Sequence, residues 1–577
     1  MDDPKLMDLQ TKLDEFAPTG RSALLPALHH TQKLFGYIPQ AAASRIAASL
    51  HIPLANVHGV IDFYTLFYRQ PVAETVIHVC NDPVCAFAGS DSLFKNFYRE
   101  VPHQAASGGL ETIALERSPC LGLCEHAPAL LVQGMATAGA AGQSWQDIIT
   151  GNFGRPHTQI TREVDILTSN CGKGAPTWLA AYEASGGYQA FRKALGMSPA
   201  EVISQVKASG LVGRGGAAFP TGVKWEGAAN APGSPKYVVC NADEAEPGTF
   251  KDRVMMESDP HRILEGMLIA AYAIGANKGY MYIRGEYIHQ FEVMAQARQE
   301  AMTVGYIGER VLGSDFSFDL ELRLGAGAYV CGEETALFES IEGKRGLPRI
   351  KPPFPITHGL FGKPTVINNV ETLANVPYIL SNGAEAYRKI GTERSPGPKL
   401  FCLSGDVEKP GLYEVPFGVT FRHVLYDLAG GVRGGRKMQA TLFGGAAGAF
   451  ATEKDLDVRL SFEDLKAAGL PLGSGVIMVF DDSRDLKQIL LRLARFFAEE
   501  SCGKCFPCQI GTQRQLEILQ NIASYGTSAG DREQLEDVAR TMTDASICGL
   551  GQTAGSAVMS AIQQWQDLFK PARERKE

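Results

Sequence analysis

The chain has 577 residues, 45% hydrophobic and 20% charged, with a formal net charge of −8. These figures exclude a disordered, collagen-like or coiled-coil protein and leave room for roughly three to five domains. An acidic balance also argues against a global nucleic-acid binder. The longest apolar run, Gly266 to Ala276, has 11 residues, whereas a bilayer span needs about 20. The opening Met1-Asp2-Asp3-Pro4 has no apolar signal segment, so a cytoplasmic location is expected. In that compartment the 12 cysteines are expected to stay reduced rather than form a disulfide framework.

Residues 1–74 read as helical, with Leu24, Leu25, Leu28, Leu34 and Ile38 mostly at three- and four-residue steps. A second helix is expected around Ala41–Leu50. Residues 75–150 read as a compact module: strand at 75–79, helix at 91–100, then strands at 112–115 and 129–132. Residues 151–175 are rich in Gly, Pro and Asn and read as a linker. Residues 176–397 alternate helix and strand, with buried strands expected at 237–240 and 279–283 and an apolar helix at 263–273. That alternation predicts an α/β domain. Residues 398–482 predict a small β-rich module, with strands at 400–403 and 476–480. Residues 483–577 predict helices, the first of them, 486–499, leading straight into Cys502.

The cysteines form two constellations and four singles. Cys80-x4-Cys85 is followed by Cys120-x3-Cys124, and Cys502-x2-Cys505-x2-Cys508 by a distant Cys548. Each set supplies four thiolates, the number that either common Fe–S cluster takes. Three cysteines within seven residues suit three corners of a [4Fe–4S] cubane, which Cys548 would close. Two separate pairs suit a [2Fe–2S] rhomb, one pair per iron. Structural zinc also takes four thiolates, so a zinc-stabilised binding or scaffold protein is the alternative from a different class.

Gly210–Trp225 is dense in glycine, and backbone N–H groups there can approach a phosphate, with Lys224 adding charge. Gly213-x-Gly215-x-x-Ala218 matches the dinucleotide fingerprint formally, but a helix precedes it instead of a strand. The acidic runs Asn241–Gly248 and Gly325–Thr335 stand beside a strand end and a loop-to-helix junction. Carboxylates there suit ribityl or ribose hydroxyls.

Together, the Gly213–Trp225 loop, the Cys240–Gly248 and Tyr329–Thr335 runs and the Cys502–Cys508 triple resemble the NADH-oxidising flavoprotein subunit of respiratory complex I. The first 150 residues resemble its thioredoxin-like [2Fe–2S] partner, here fused upstream. Cytoplasmic NAD-linked formate dehydrogenases and NAD-reducing hydrogenases carry a similar fused subunit. The resemblance implies that Gly213, Arg214, Gly215, Lys224, Asn241, Asp243, Gly332, Glu333, Asn368 and Asn369 line FMN. It implies that Phe219, Glu244, Glu246, Tyr329, Glu334, Lys351 and Phe354 contact NAD(H). It makes 398–482 a β-grasp module of the soluble ligand-binding type and the tail a helical bundle around [4Fe–4S]. Hydride would pass directly between NAD(H) and FMN without a catalytic acid or base. The reading that follows is the diaphorase subunit of an NAD-linked formate dehydrogenase, fed by a partner with a Mo- or W-pterin. A hydrogenase or complex I partner is the alternative.

Overall fold

The computed structural model describes residues 3–100, 113–137, 144–149 and 156–571. Four helices make the N-terminal segment. The first, Pro4–Phe16, starts where the Asp3 carboxylate accepts the Lys5 N–H, and it buries Leu9 and Leu13 one turn apart. The second, Leu24–Phe35, ends on Gly36 in the left-handed region, the usual helix stop. Helices Gln40–Ser49 and Leu54–Ile61 each begin directly after a proline.

The next module is a four-stranded sheet of β1 (Thr75–Cys80), β2 (Ile113–Ser118), β3 (Leu130–Val132) and β4 (Met135–Thr137), in the order β2-β1-β3-β4. Helix Ser90–Glu100 lies in the parallel β1–β2 crossover, and β3 runs antiparallel to β1. Residue 112 of the expected second strand lies outside the described residues. The sequence reading missed β4. It follows a two-residue turn in which Gln133 and Gly134 both have positive φ, 49° and 80°, the geometry of a tight hairpin.

The stretch 151–175, expected as a linker, is tied down where it is described. β5 (Ile160–Arg162) joins a sheet edge, and the buried Glu414 carboxylate accepts the N–H groups of Ile166, Leu167 and Thr168 at 2.7–3.0 Å. Three N–H donors and one buried carboxylate satisfy each other, which is what fixes a segment with so little apolar surface.

The central domain is built on a wholly parallel sheet of β6 (Tyr237–Ala242), β7 (Lys278–Ile283), β8 (Asp319–Leu324) and β9 (Thr365–Asn369), in the order β8-β7-β6-β9. The chain steps from β6 to β7 and β8 on one side, then returns to place β9 on the other. The crevice between β6 and β9 is therefore the topological switch point, where open α/β sheets bind ligands at the strands' carboxyl ends. Helix Pro260–Ile274 is buried on nearly every face. Gly266 lets it touch helix Val370–Asn382, since a Cβ there would stand 2.3 Å from the Leu373 carbonyl oxygen.

The β-grasp module adds β10 (Pro398–Gly405), β11 (Gly411–Pro416), β12 (Met438–Phe443), β13 (Ala449–Ala451) and β14 (Val476–Asp481). With β5 they form a mixed sheet, β13-β12-β14-β10-β11-β5. Its inner face has its own core of Phe401, Leu403, Val415, Phe421 and Ile477. The tail is a bundle of helices Leu486–Glu500, Phe506–Tyr525, Asp531–Ala545 and Ser556–Gln564. Among the described residues no helix is long and apolar enough to cross a membrane.

Candidate functional site

A cavity of about 1190 Å³ opens at the β6–β9 switch point. It exceeds the roughly 300–1,000 Å³ of a single-ligand pocket. Its floor is set by strand register, which puts Asn241 of β6 beside Asn369 of β9. Asn241 donates from its amide to the Gly332 carbonyl at 2.8 Å and accepts the Asp243 N–H at 3.1 Å. Asp243 Oδ2 is buried without a partner, and burial raises this carboxyl well above its usual range. An orphaned acceptor facing a cavity calls for a donor from a ligand, and a ribityl hydroxyl would serve.

The glycine-rich loop forms one wall. Gly213 N–H donates to the Phe219 carbonyl at 2.9 Å, and Val212 pairs with Pro220, so the segment between them is a tight hairpin. Gly215 lies against Asn369, with a hypothetical Cβ only 3.0 Å from the Asn369 Cβ. Gly215 and Gly216 line the cavity, whereas Gly213, Arg214, Lys224 and Asn368, also expected at the flavin, do not. Arg214 turns away and is 1% exposed. Its guanidinium donates to the Tyr387 hydroxyl and the Pro396 carbonyl, both at 2.9 Å, and stacks on Phe417 of the β-grasp module. Asn368 also departs, accepting from the buried Trp225 indole at 2.9 Å. Successive strand residues face opposite ways, so Asn369 reaches the cavity and Asn368 cannot.

The acidic run after β6 supplies a second wall. Burial pushes the Glu244 and Glu246 carboxyls up to about 7. Glu244 is held by the protein itself. It accepts the Asp252 and Arg253 N–H groups and the Thr249 hydroxyl, each at 2.9 Å, and the Tyr287 hydroxyl at 3.2 Å. Its carboxylate thereby secures the start of helix Lys251–Ser258. Glu246 accepts the Tyr329 hydroxyl and the Ala447 N–H, the latter at 3.0 Å. Tyr329 in turn donates its N–H to Glu500 at 2.9 Å, two residues before Cys502.

A third group gathers at the rim. Lys351 Nζ lies 2.8 Å from Glu333 and 2.7 Å from Glu334. Glu333 caps helix Glu334–Ile341, accepting the Thr335 and Ala336 N–H groups at 2.8 and 2.9 Å. Lys224 donates to the Ile367 carbonyl at 3.1 Å and lies 5.9 Å from the centre of the Phe219 ring. Burial lowers its ammonium, and the nearby Glu334 charge opposes that shift. Phe219 and Phe354 expose 49% and 55% of their surface, unusual for large apolar rings and suited to stacking a flat ligand.

Sequence reasoning missed the cavity's ionic floor. Lys251 is buried, 2.7 Å from Asp252 and 3.3 Å from Glu371, and Glu371 lies 2.6 Å from the equally buried Lys399. Burial pulls the Lys399 ammonium down to about 8 against the pull of Glu371. The charged triplet Lys251-Asp252-Arg253, shortly after Gly248, was the available signal.

Both cysteine sets converge, and the second reaches this cavity through the residues that follow Cys548. Cys80 ends β1, Cys85 sits in the short helix Pro83–Phe87, and the loop after β2 returns Cys120 and Cys124, whose sulfurs are 3.3 Å apart. Its neighbours Cys120 and Cys85, together with burial, push the Cys80 thiol up. All four are buried, with Cys80 and Cys85 packed among Leu121, Leu123, Ala129 and Leu131. In the tail, Cys508 feels the charges of Cys505, Cys548 and Cys502. Cys505 and Cys548 each occupy a helix N-cap. Gly549 and Leu550, directly after Cys548, line the cavity. Among the described residues no group of three or more His, Cys, Asp or Glu is arranged to hold a single metal ion.

Three family models match. Residues 206–378 match the Nuo51 FMN-binding domain, 9–152 the thioredoxin-like [2Fe–2S] ferredoxin, and 488–572 the NADH-ubiquinone oxidoreductase-F iron-sulfur binding region. The chain thus carries FMN, [2Fe–2S] and [4Fe–4S] domains, and the zinc reading of the cysteines gives way. The anaerobically purified protein is expected to hold about six iron atoms, two in one cluster and four in the other. Stoichiometric zinc with little iron, measured by elemental analysis, would contradict it.

Relatives agree. The second NADH-quinone oxidoreductase F subunit of Rhizobium meliloti (strain 1021) is 50% identical over 392 residues, 68% of this chain and 93% of that one. The NADH-quinone oxidoreductase F subunit of Aquifex aeolicus (strain VF5) is 47% identical over 73% of this chain and 97% of its own. The HndC subunit of the NADP-reducing hydrogenase of Solidesulfovibrio fructosivorans is 44% identical over 72% and 84%. A crystal structure of NAD+-reducing [NiFe]-hydrogenase in the H2-reduced state superposes with a TM-score of 0.83 at 34% identity, covering 95% of this chain and 93% of that one. With a switch-point cavity in its flavin domain and two converging sets of four cysteines, the chain belongs to the family of NADH-quinone oxidoreductase F subunits, with a thioredoxin-like [2Fe–2S] domain joined in front.

Proposed function

We propose that this chain is the diaphorase subunit of a heteromeric, cytoplasmic NAD-linked formate dehydrogenase. A partner subunit with a Mo- or W-pterin would oxidise formate. Electrons would enter through the cluster at Cys502, Cys505, Cys508 and Cys548 and leave at the nucleotide. The observation that carries this reading is the single cavity walled by the flavin domain, the β-grasp module and the residues after Cys548. A nucleotide exchanges two electrons together and an Fe–S cluster one at a time. Bound FMN mediates between these two modes.

The chain's own residues would do the positioning. Gly215, Gly216, Asn241, Asp243, Gly332 and Asn369 would hold FMN, with the Asp243 oxygen taking a ribityl hydroxyl. Tyr329, Glu246 and Glu333 face the same cavity, and the Phe219, Phe354, Lys224, Lys351 and Glu334 rim would take the adenosine end of NAD(H). Electron entry is supported by Phe506 and Ile510, 74% and 48% exposed beside Cys505 and Cys508. Exposed apolar side chains at a cluster suit a partner surface.

A formate-oxidising partner is favoured over hydrogenase by the complete, buried thiol set in the first domain. The hydrogenase reading draws on the near full-length superposition with NAD+-reducing [NiFe]-hydrogenase. The test is the complex purified with its natural partner. It should reduce NAD+ with formate and not with H2, while the isolated chain should oxidise NADH with a dye and leave formate untouched. H2-driven NAD+ reduction would select the second reading, and formate oxidation by the isolated chain would refute the division of labour.

A further inference from the structure

Two buried arginines of the flavin domain grip the Cys120–Cys124 loop. Arg253 donates from Nε to the Gly122 carbonyl at 2.9 Å. Its remaining nitrogens are committed to Glu125, Thr158 and Glu257, so two carboxylates offset its charge. Arg284, directly after β7, is only 2% exposed. Its Nη2 donates to the carbonyl of Cys120 at 2.7 Å, and Nη1 donates to the Glu244 carbonyl at 2.7 Å. Its carboxylate partner is Glu286, at 3.0 and 2.8 Å. The guanidinium also lies 5.1 Å from the centre of the Tyr287 ring.

The loop is pressed onto this group. Gly122 has φ +67°, and a Cβ there would stand 2.0 Å from the Tyr287 hydroxyl oxygen. Only glycine lets the loop come so close. The Arg284 guanidinium therefore stands between the Cys120 carbonyl and the Glu286 carboxylate, and it is the nearer of the two charges to the cluster ligand.

Reducing a [2Fe–2S] cluster adds one electron, and so one negative charge, to a site already bearing four thiolates. Away from water, a fixed cation in contact with a ligand residue stabilises that added charge, and hydrogen bonding, net charge and burial set cluster potentials. We propose that Arg284 is a positioning residue of the [2Fe–2S] centre whose charge raises the reduction potential of that cluster, with Glu286 as the counter-charge that limits the rise. The same guanidinium pins the Glu244 carbonyl, so one group sets both the cluster loop and a wall of the nucleotide cavity.

The test is a redox titration of the holo-complex followed by electron paramagnetic resonance, with iron content measured on each variant and the [4Fe–4S] signal as internal reference. Arg284→Gln is expected to shift the [2Fe–2S] equilibrium at least tenfold toward the oxidised form, about 59 mV downward for a one-electron couple. Glu286→Gln is expected to shift it upward, and Arg284→Lys, which keeps the charge, should stay closer to wild type than Arg284→Gln. The [4Fe–4S] potential should not move. An iron-replete Arg284→Gln complex with the wild-type potential would overturn the proposal. If that variant fails to load its cluster, Glu286→Gln decides, and an unchanged or lowered potential there would also overturn it.

Discussion

Cys505→Ser is expected to remove the [4Fe–4S] signal and abolish formate-driven NAD+ reduction by the complex, while NADH-driven reduction of a dye at the flavin survives in part. Changing only an outer-shell partner of a metal site typically costs about 10–100-fold, so losing a ligand should leave less than ~1% of coupled turnover. A serine hydroxyl is a hard, protonated group at neutral pH and a poor substitute for thiolate on iron. The structure separates this effect from unfolding. Cys505 is the N-cap of helix Phe506–Tyr525, and serine is among the preferred N-cap residues. The helix is anchored further along by buried Ile518, Leu519 and Ile522. Cys505 contributes nothing to the cavity wall, so FMN binding should persist. Formate:NAD+ and NADH:dye rates on the same purified variant complex check the prediction. Equal loss of both would make the cluster a structural element, and retention of both would place electron entry elsewhere.

What the sequence revealed here was local, and what it hid was tertiary. The cysteine sets were legible because spacing alone fixes which thiols can share a cluster. The strands Thr75–Cys80 and Tyr237–Ala242 were legible because short β-branched runs stop at polar loops. Arg214 was placed at the flavin by the family resemblance alone, and its side chain lies outside the cavity lining. Its actual partners, Tyr387, Pro396 and Phe417, come from segments far along the chain, and no local pattern announces them. Asn368 stands beside Asn369, and strand alternation allows only one of two adjacent side chains to face a cavity. Lys251, Glu371 and Lys399 form a network only after β9 has been placed beside β6, and that placement depends on the crossover order. Likewise β5 has three residues, too few for a periodicity, and its position rests on pairing with the distant β11.

Glu334→Gln should lower the preference for NADH over NADPH by at least tenfold. A charged hydrogen bond contributes roughly 1.5–3 kcal/mol, which is about 10- to 150-fold in affinity. A carboxylate at the start of a helix has a competing role, to cap that helix. In the structure Glu333 takes that role, accepting the Thr335 and Ala336 N–H groups. Glu334 instead pairs with Lys351 at 2.7 Å and lies within the electrostatic reach of Lys224. On the proposed reading its carboxylate would accept the 2′-hydroxyl of adenosine ribose and repel a 2′-phosphate. The neutral amide can still accept from the hydroxyl, so NADH use should fall only modestly. It also frees part of the Lys351 and Lys224 charge, and two ammonium groups at that rim would attract the extra phosphate of NADPH. Gain on one nucleotide and small loss on the other move the ratio in the same direction. Because Glu333 keeps the cap, the thermal stability of the variant should stay close to wild type. Steady-state kcat/KM for both nucleotides decides: an unaltered ratio would remove Glu334 from the nucleotide site, and a large fall in Tm would return it to a structural role.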